Sequence, residues 1–273
     1  LSSDLSPAAA VPAAAGFSLT LSDAADVATV TLNQPDTRNP QSPLTWAALL
    51  AAINGLPGTV RVLVVRGDGP SFSAGLDRRL LAPGGIPGAA GLAELAGLPH
   101  PQALAEIASF QAAFAALARP ELISLALVQG HAVGAGFQLA LACDVRIAAT
   151  DAQFTMGEIA LGLVPDLGGT KRLVELVGYS RAAAICLTGA RVSAADAERM
   201  GLVNAVVPAD QLGTAGEQFV QRILGQPREA IIEIKALLLR AAERSQAEQE
   251  LAEREAQYRQ LRLLAGLAAE DPR

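Results

Sequence analysis

The 273-residue sequence is short of metal ligands, with only two cysteines, Cys143 and Cys186, and two histidines, His100 and His131. A structural zinc needs about four such ligands, and these stand at no finger-like spacing, so no metal site is expected. Two cysteines make no disulfide framework, and a chain of this length needs none. Buried thiols in a reduced, cytoplasmic setting are the expectation. Basic residues are also scarce: 21 Lys and Arg against 27 Asp and Glu leave a net charge of −6. That balance keeps a protein soluble but offers no basic stripe to a phosphate backbone, so nucleic acid is not an expected partner. No apolar run approaches the ~18 residues of a membrane span; the longest candidate, 133–143, contains Gln138 and two glycines.

Nucleotide and hydrolase signatures are missing as well. The stretch from Gly162 to Lys171 lacks the Gly-Lys-Ser/Thr ending of a phosphate loop, and no G-x-G-x-x-G opens a helix after the first strand. The nearest approach to a nucleophile elbow, Gly178-Tyr179-Ser180-Arg181-Ala182, ends in alanine and lies far from both histidines in sequence.

What is present is an apolar, α/β-patterned chain. Apolar residues make up 51% and charged residues 18%, a composition that argues against disorder. Apolar runs predict strands over 17–21, 27–32, 60–66, 122–128, 145–149, 153–155 and 202–207. Ser42-Pro43 caps a helix with apolar residues at helical spacing, among them Trp46, read as core, and Gly55-Leu56-Pro57-Gly58 stops it. Further helices are predicted over 101–118, 136–142, 169–177, 180–187, 194–200, 211–224, 228–244 and 246–267. The Pro- and Gly-rich stretch 82–91 resists regular structure and suits a flexible flap. Residues 1–15 read as a mobile leader without the basic start of a signal peptide, 16–205 as a strand-and-helix core, and 206–273 as a helical C-terminal region.

Two strand-exit loops carry the chemistry. Ser71-Phe72-Ser73-Ala74-Gly75-Leu76-Asp77 and Gln129-Gly130-His131-Ala132-Val133-Gly134-Ala135-Gly136 each follow a buried strand, and their small residues let backbone N–H groups approach a ligand. The second runs into a helix N-terminus, which favours negative charge. Together the loops can form an oxyanion hole; each alone is also readable as a tight turn.

Four blocks in order, "FSLTLSDAADVATVTLNQPDTRN", "SFSAGLD", "VQGHAVGAGFQLALACDVRIAATDAQFTMGEIALGLVPDLGGTKRL" and "LTGARVSAADAERMGLVNAVVP", resemble the enoyl-CoA hydratase/isomerase (crotonase) superfamily over about residues 16 to 240. The resemblance implies a crotonase-like ββα spiral core with a C-terminal helical trimerisation region, assembled as a homotrimer or a dimer of trimers. It implies an acyl-CoA thioester as substrate, with no cofactor beyond the coenzyme A of the substrate. The N–H groups of Leu76 and Ala135 would hold the thioester oxygen, and Arg38, Ala74, Gly75 and Asp77 would lie along CoA. Relatives often continue into a basic and aromatic segment that closes over CoA, whereas the sequence given ends at Asp271-Pro272-Arg273.

The resemblance breaks at one of the two glutamates that flank water in hydratases. Glu158, in "MGEIALG", matches the second, but Gln138 stands at the first. A glutamine amide can orient water but cannot take its proton, so double-bond isomerisation with Glu158 as acid and base is the expected reaction. Hydration with Gln138 only orienting water, a non-catalytic acyl-CoA binder, and a relative acting on a polyketide-derived thioester are the alternatives. Apolar walls from Phe137, Ile159, Ala160 and Leu161 would raise the Glu158 pKa. Asp166 reads either as a second acid or base or as the N-cap of the helix near Gly168. Asp144 and Arg146 are expected to form a structural ion pair.

Overall fold

The computed structural model describes residues 11–12 and 15–267 of the chain. Most of the leader lies outside these residues. Of the rest, Ala15 is buried and Val11 packs against the core. The region beyond Leu267 is also outside.

Strands Phe17–Leu21 (β1) and Val27–Leu32 (β2) form the expected antiparallel hairpin, Phe17 opposite Leu32 and Leu21 opposite Ala28. The alternating burial of β2 shows why: one face is core and the other is not. Four turns follow, in each of which a strand is succeeded by a short strand and then helix. The first has β2, Pro40–Gln41 (β3) and Pro43–Asn54 (α1). The second has Val62–Gly67 (β4), Gly75–Leu76 (β5), a short helix Leu92–Ala96 (α2) and His100–Ala115 (α3). The third has Ile123–Val128 (β6), His131–Val133 (β7) and Ala135–Ala142 (α4), and the fourth Val145–Ala149 (β8), Gln153–Thr155 (β9) and Gly169–Val177 (α5). Tyr179–Thr188 (α6), Val192–Ser193 (β10), Ala194–Arg199 (α7), Ala205–Val207 (β11), Leu212–Leu224 (α8), Arg228–Arg240 (α9) and Gln246–Leu264 (α10) complete the chain.

The long strands build a six-stranded sheet in the order β1-β2-β4-β6-β8-β11, parallel from β2 onward. Short strands pair separately, β3 with β5 and β10-β9-β7. The result is a succession of repeated ββα units whose long and short strands pair in separate sheets, in keeping with the resemblance. β6 is buried along its whole length, as a central parallel strand should be. On one sheet face it meets the larger core, which takes in α1, α3 and α4; on the other α8 packs through Leu212 and Val220 onto Val62, Leu125 and Ile147. A Cβ at Gly216 would sit 2.8 Å from Leu127, so α8 approaches the sheet at glycine distance.

α1 is capped as predicted: Ser42 Oγ accepts from the Thr45 N–H, and Thr45 Oγ1 accepts from the Ser42 N–H. Trp46 lies in the core, its ring 5.1 Å from Phe110 and 6.1 Å from Phe114. Cys143 is buried, and burial pushes its thiol to about 12; Cys186 is only half-buried, which corrects the expectation of two buried thiols. Asp144 and Arg146 do not pair with each other. Asp144 binds Lys235 of α9 at 2.7 Å, while Arg146 donates to the carbonyls of Leu202 and Cys143. The carbonyls around Arg146 offered it partners nearer than a carboxylate that Lys235 and Ser124 already occupy. Among the described residues, no helix is long and apolar enough to cross a membrane.

Candidate active site

The β5 loop is held from several sides. Asn39 Nδ2 donates to the carbonyls of Asp68 and Ser71 at 2.9 and 2.8 Å, and Gln41 Nε2 donates to Ser73 Oγ at 3.0 Å. Ser73 Oγ in turn donates to the Asn39 carbonyl at 2.7 Å. Arg38 and Asn39 both take left-handed backbone, φ 61° and 55°, and the Arg38 carbonyl accepts from the Ala74 N–H at 2.7 Å. Phe72 and Ser73 donate to Gln129 and His131, tying the first loop to the second.

Glycine is required where the loops meet. Gly75 has φ +84°, and a Cβ there would lie 2.3 Å from the Val133 carbonyl oxygen and 3.4 Å from the Ala135 nitrogen. Gly136 is as tight, with Ser73 atoms at 2.7 Å from the Cβ position. This closeness brings Leu76 and Ala135 to one cavity wall. Ala135 is the first residue of α4, so its N–H has no intrahelical acceptor.

Glu158 faces the same wall from a short 3-10 turn, Gly157–Leu161. Its Oε1 accepts from Gln138 Nε2 at 2.7 Å, and Oε2 is buried without a hydrogen-bond partner. Gln138, on α4, is buried, and its Oε1 accepts from the N–H groups of Leu167 and Gly169 at 2.9 and 3.2 Å. Those two bonds fix the amide orientation, so Gln138 presents an N–H and not an oxygen to Glu158. Burial raises the Glu158 carboxyl above its ordinary range; its own backbone N–H and Gln138 oppose this, and Asp166 adds a smaller push upward. Asp166 stands at the rim with an exposed side chain, yet enough protein surrounds it for burial to raise its carboxyl too. It does not cap α5: Gly168 holds the N-cap position, with no side-chain cap bond.

The cavity around these groups measures about 900 Å³ and is mostly apolar. Ala160 and Leu161 line it as expected. Phe137 and Ile159 do not: Phe137 is fully buried against Phe154, and Ile159 is turned to solvent. Trp46 is both core and cavity wall.

A second, arginine-lined groove of about 860 Å³ holds Arg38, Arg78, Arg79, Arg191 and His131, and shares Ala74, Leu76 and Val133 with the apolar cavity. Asp77 lines it, but its carboxylate is bound by Arg79 Nε at 3.0 Å and caps the turn at Arg78–Leu81, which holds it below the usual carboxylate range. Of these arginines only Arg38 was singled out by the resemblance; Arg78, Arg79 and Arg191 were not anticipated. Arg78 and Arg79 directly follow a motif already singled out, whereas Arg191 carries no local signal.

An apolar chamber thus joins an arginine-lined groove at the two loops, with the Glu158 carboxyl beside the junction. Residues 22–262 match the family model described as enoyl-CoA hydratase/isomerase, and the chain belongs to that family. It is 34% identical over 230 residues, 84% of this chain and 83% of the other, to a Mycobacterium bovis protein assigned as an enoyl-CoA hydratase. It is 32% identical over 185 residues to the peroxisomal Δ(3,5)-Δ(2,4)-dienoyl-CoA isomerase of Arabidopsis thaliana, 67% of this chain and 66% of that one. A Thermobifida fusca structure described as an enoyl-CoA hydratase in complex with CoA superposes with a TM-score of 0.87 at 42% identity, covering 93% of this chain and 96% of the other.

Proposed function

We propose that the protein isomerises the double bond of an enoyl-CoA thioester, with Glu158 as the acid and base for the proton transfer between the α- and γ-carbons. CoA lies along the arginine groove, near Arg38, Ala74, Gly75 and Asp77, and the thioester carbonyl sits at the junction. Glu158 Oε2 takes a proton from the α-carbon of a β,γ-enoyl thioester. The resulting enolate oxygen is held by the N–H groups of Leu76 and Ala135, each donor contributing about 2.7–4 kcal/mol where such donors have been removed. The same carboxyl returns the proton to the γ-carbon, giving the α,β-enoyl product. Asp166, at the rim of the same cavity, takes no part in this α-to-γ transfer and is proposed as an acid or base only for protons farther along the acyl chain.

The observation that carries this reading is the pairing of Glu158 with Gln138. One oxygen of the carboxyl is pinned and the other is buried without a partner, while the neighbouring amide oxygen is already engaged by two backbone N–H groups. Of this pair only Glu158 can accept a proton, which suits proton shuttling better than water addition by two paired carboxylates. The isomerase relative supports it. Hydration, with Gln138 only orienting water, is the second reading, favoured by the relatives assigned as hydratases.

NMR in deuterated water with β,γ- and α,β-enoyl-CoA separates these readings. Bond migration and α-proton exchange are expected, and Glu158→Gln should lower both by about 10²–10⁴-fold, the range for losing a general base. Addition of water by the wild type would replace this reading with hydration, and tight binding with neither exchange nor product would make the protein an acyl-CoA binder. We also propose the homotrimer, or dimer of trimers, implied by the family, supported by exposed apolar side chains on α9 and α10.

A further inference from the structure

The chamber that holds Glu158 is larger than a short enoyl group requires. Its volume of about 900 Å³ lies near the top of the range for small-molecule pockets. Much of its wall comes from pieces with no part in the proposed chemistry, namely loop 82–91, α2 and α3, through Ala90, Leu92, Leu95, Ile107 and Phe110. Arg78 and Arg191 also line it, but both are shared with the arginine-lined groove and so mark the junction. Glu106 is exposed.

The loop is a built wall. Ile86 and Ala89 exchange both backbone hydrogen bonds, at 3.0 and 2.9 Å, and Gly84, Gly85 and Gly88 turn the chain with φ of 84°, 63° and 86°. A Cβ at Gly85 would meet the Ala89 carbonyl oxygen at 2.4 Å, so the turn closes only on glycine. Glu94, in the first turn of α2, reaches back across it: Oε1 accepts from the Gly84 N–H at 2.7 Å. Hydrogen bonds from Gly84, from its own backbone and from Gly91 hold this carboxyl below its ordinary range, which matches a carboxylate bound to the loop's amides.

We propose that the site takes an extended apolar acyl chain, longer than a crotonyl group, and that Glu94 is a positioning residue that sets this preference by fixing loop 82–91 as the chamber's wall. The inference rests on the acyl-CoA reading of the site and is independent of which reaction follows. Every methylene that enters an apolar wall adds about fourfold in affinity, so a chamber of this size discriminates by chain length.

Isothermal titration with CoA, butanoyl-CoA, octanoyl-CoA and dodecanoyl-CoA tests it, since these saturated thioesters cannot undergo the double-bond chemistry. Affinity should rise by about tenfold or more from butanoyl to octanoyl, well within the reach of four added methylenes. Binding that is flat or falls along the series overturns the inference and leaves the acyl-CoA reading standing; no binding of any thioester overturns both. Glu94→Ala should cut the octanoyl-to-butanoyl ratio about fivefold or more, while Glu94→Gln, which keeps an acceptor for Gly84, restores it. An unchanged ratio in Glu94→Ala removes the positioning role. Ile107→Trp, which fills the chamber from α3, should weaken octanoyl binding and leave butanoyl within about twofold, with a melting curve confirming the fold. Equal weakening of both overturns the chain-length assignment.

Discussion

Glu158 carries its charge at a cost to the fold. Burial raises its native carboxyl above the ordinary 4.5, so as pH rises the unfolded chain gives up this proton first. The native state is therefore favoured below that value and loses the advantage as pH climbs through the raised native pKa. Glu158→Gln should melt higher than the wild type at neutral pH and lose that gain below pH 4.5, as differential scanning calorimetry at several pH values would read. Gln138→Leu leaves the N–H groups of Leu167 and Gly169 without their acceptor and should cost about 1–3 kcal/mol in denaturant unfolding. It also removes a hydrogen bond that favours the ionised carboxyl, so the acid limb of the pH–rate profile should move upward. That Glu158, Gln138, Leu76 and Ala135 would come to one cavity was legible because each lies inside a contiguous motif. Asn39 and Gln41 were not, since their work depends on partners such as Ser71 and Ser73, 32 positions away, that no local pattern names.

Among the elements, those with strong local signals were read closely. β8, β9 and α5 occupy the predicted residues, and α1 begins at the predicted cap. Ser42→Ala should destabilise the protein by about 1 kcal/mol, read as a lower Tm. Loop 82–91 carries no named helix or strand, as its composition implied, but composition does not report the hydrogen bonds that Glu94 and the glycines supply. α9 was found as a helix, but nothing in its spacing singles out Lys235. It is buried, with Nζ at 3.2 Å from the Leu117 carbonyl oxygen and 2.7 Å from Asp144 Oδ2. Lys235→Met should cost about 3–5 kcal/mol, because it strands Asp144 beside Ser124 in a poorly hydrated place. Chemical unfolding of the single variant and of the double variant with Asp144→Asn would separate the pair from the packing.

At the scale of the whole molecule, α9 and α10 leave Leu238 70% and Leu264 83% exposed, more apolar surface than a pair of terminal helices needs. Light scattering should give the mass of three or six chains, and Leu238→Glu with Leu264→Glu should shift it toward one. A monomeric wild type would remove the proposed assembly. The order of the large sheet has a different consequence. From β1 to β11 each strand is laid against the one before it in the chain's own sequence, and none is inserted between two already paired. A nascent polypeptide leaving the ribosome can therefore complete one turn of the spiral before the next is translated, so that no long-range strand pairing waits on the far end of the message. Lys235 then closes over Leu117, Leu122 and Asp144, a latch that translation delivers only after all the strands it secures have been made.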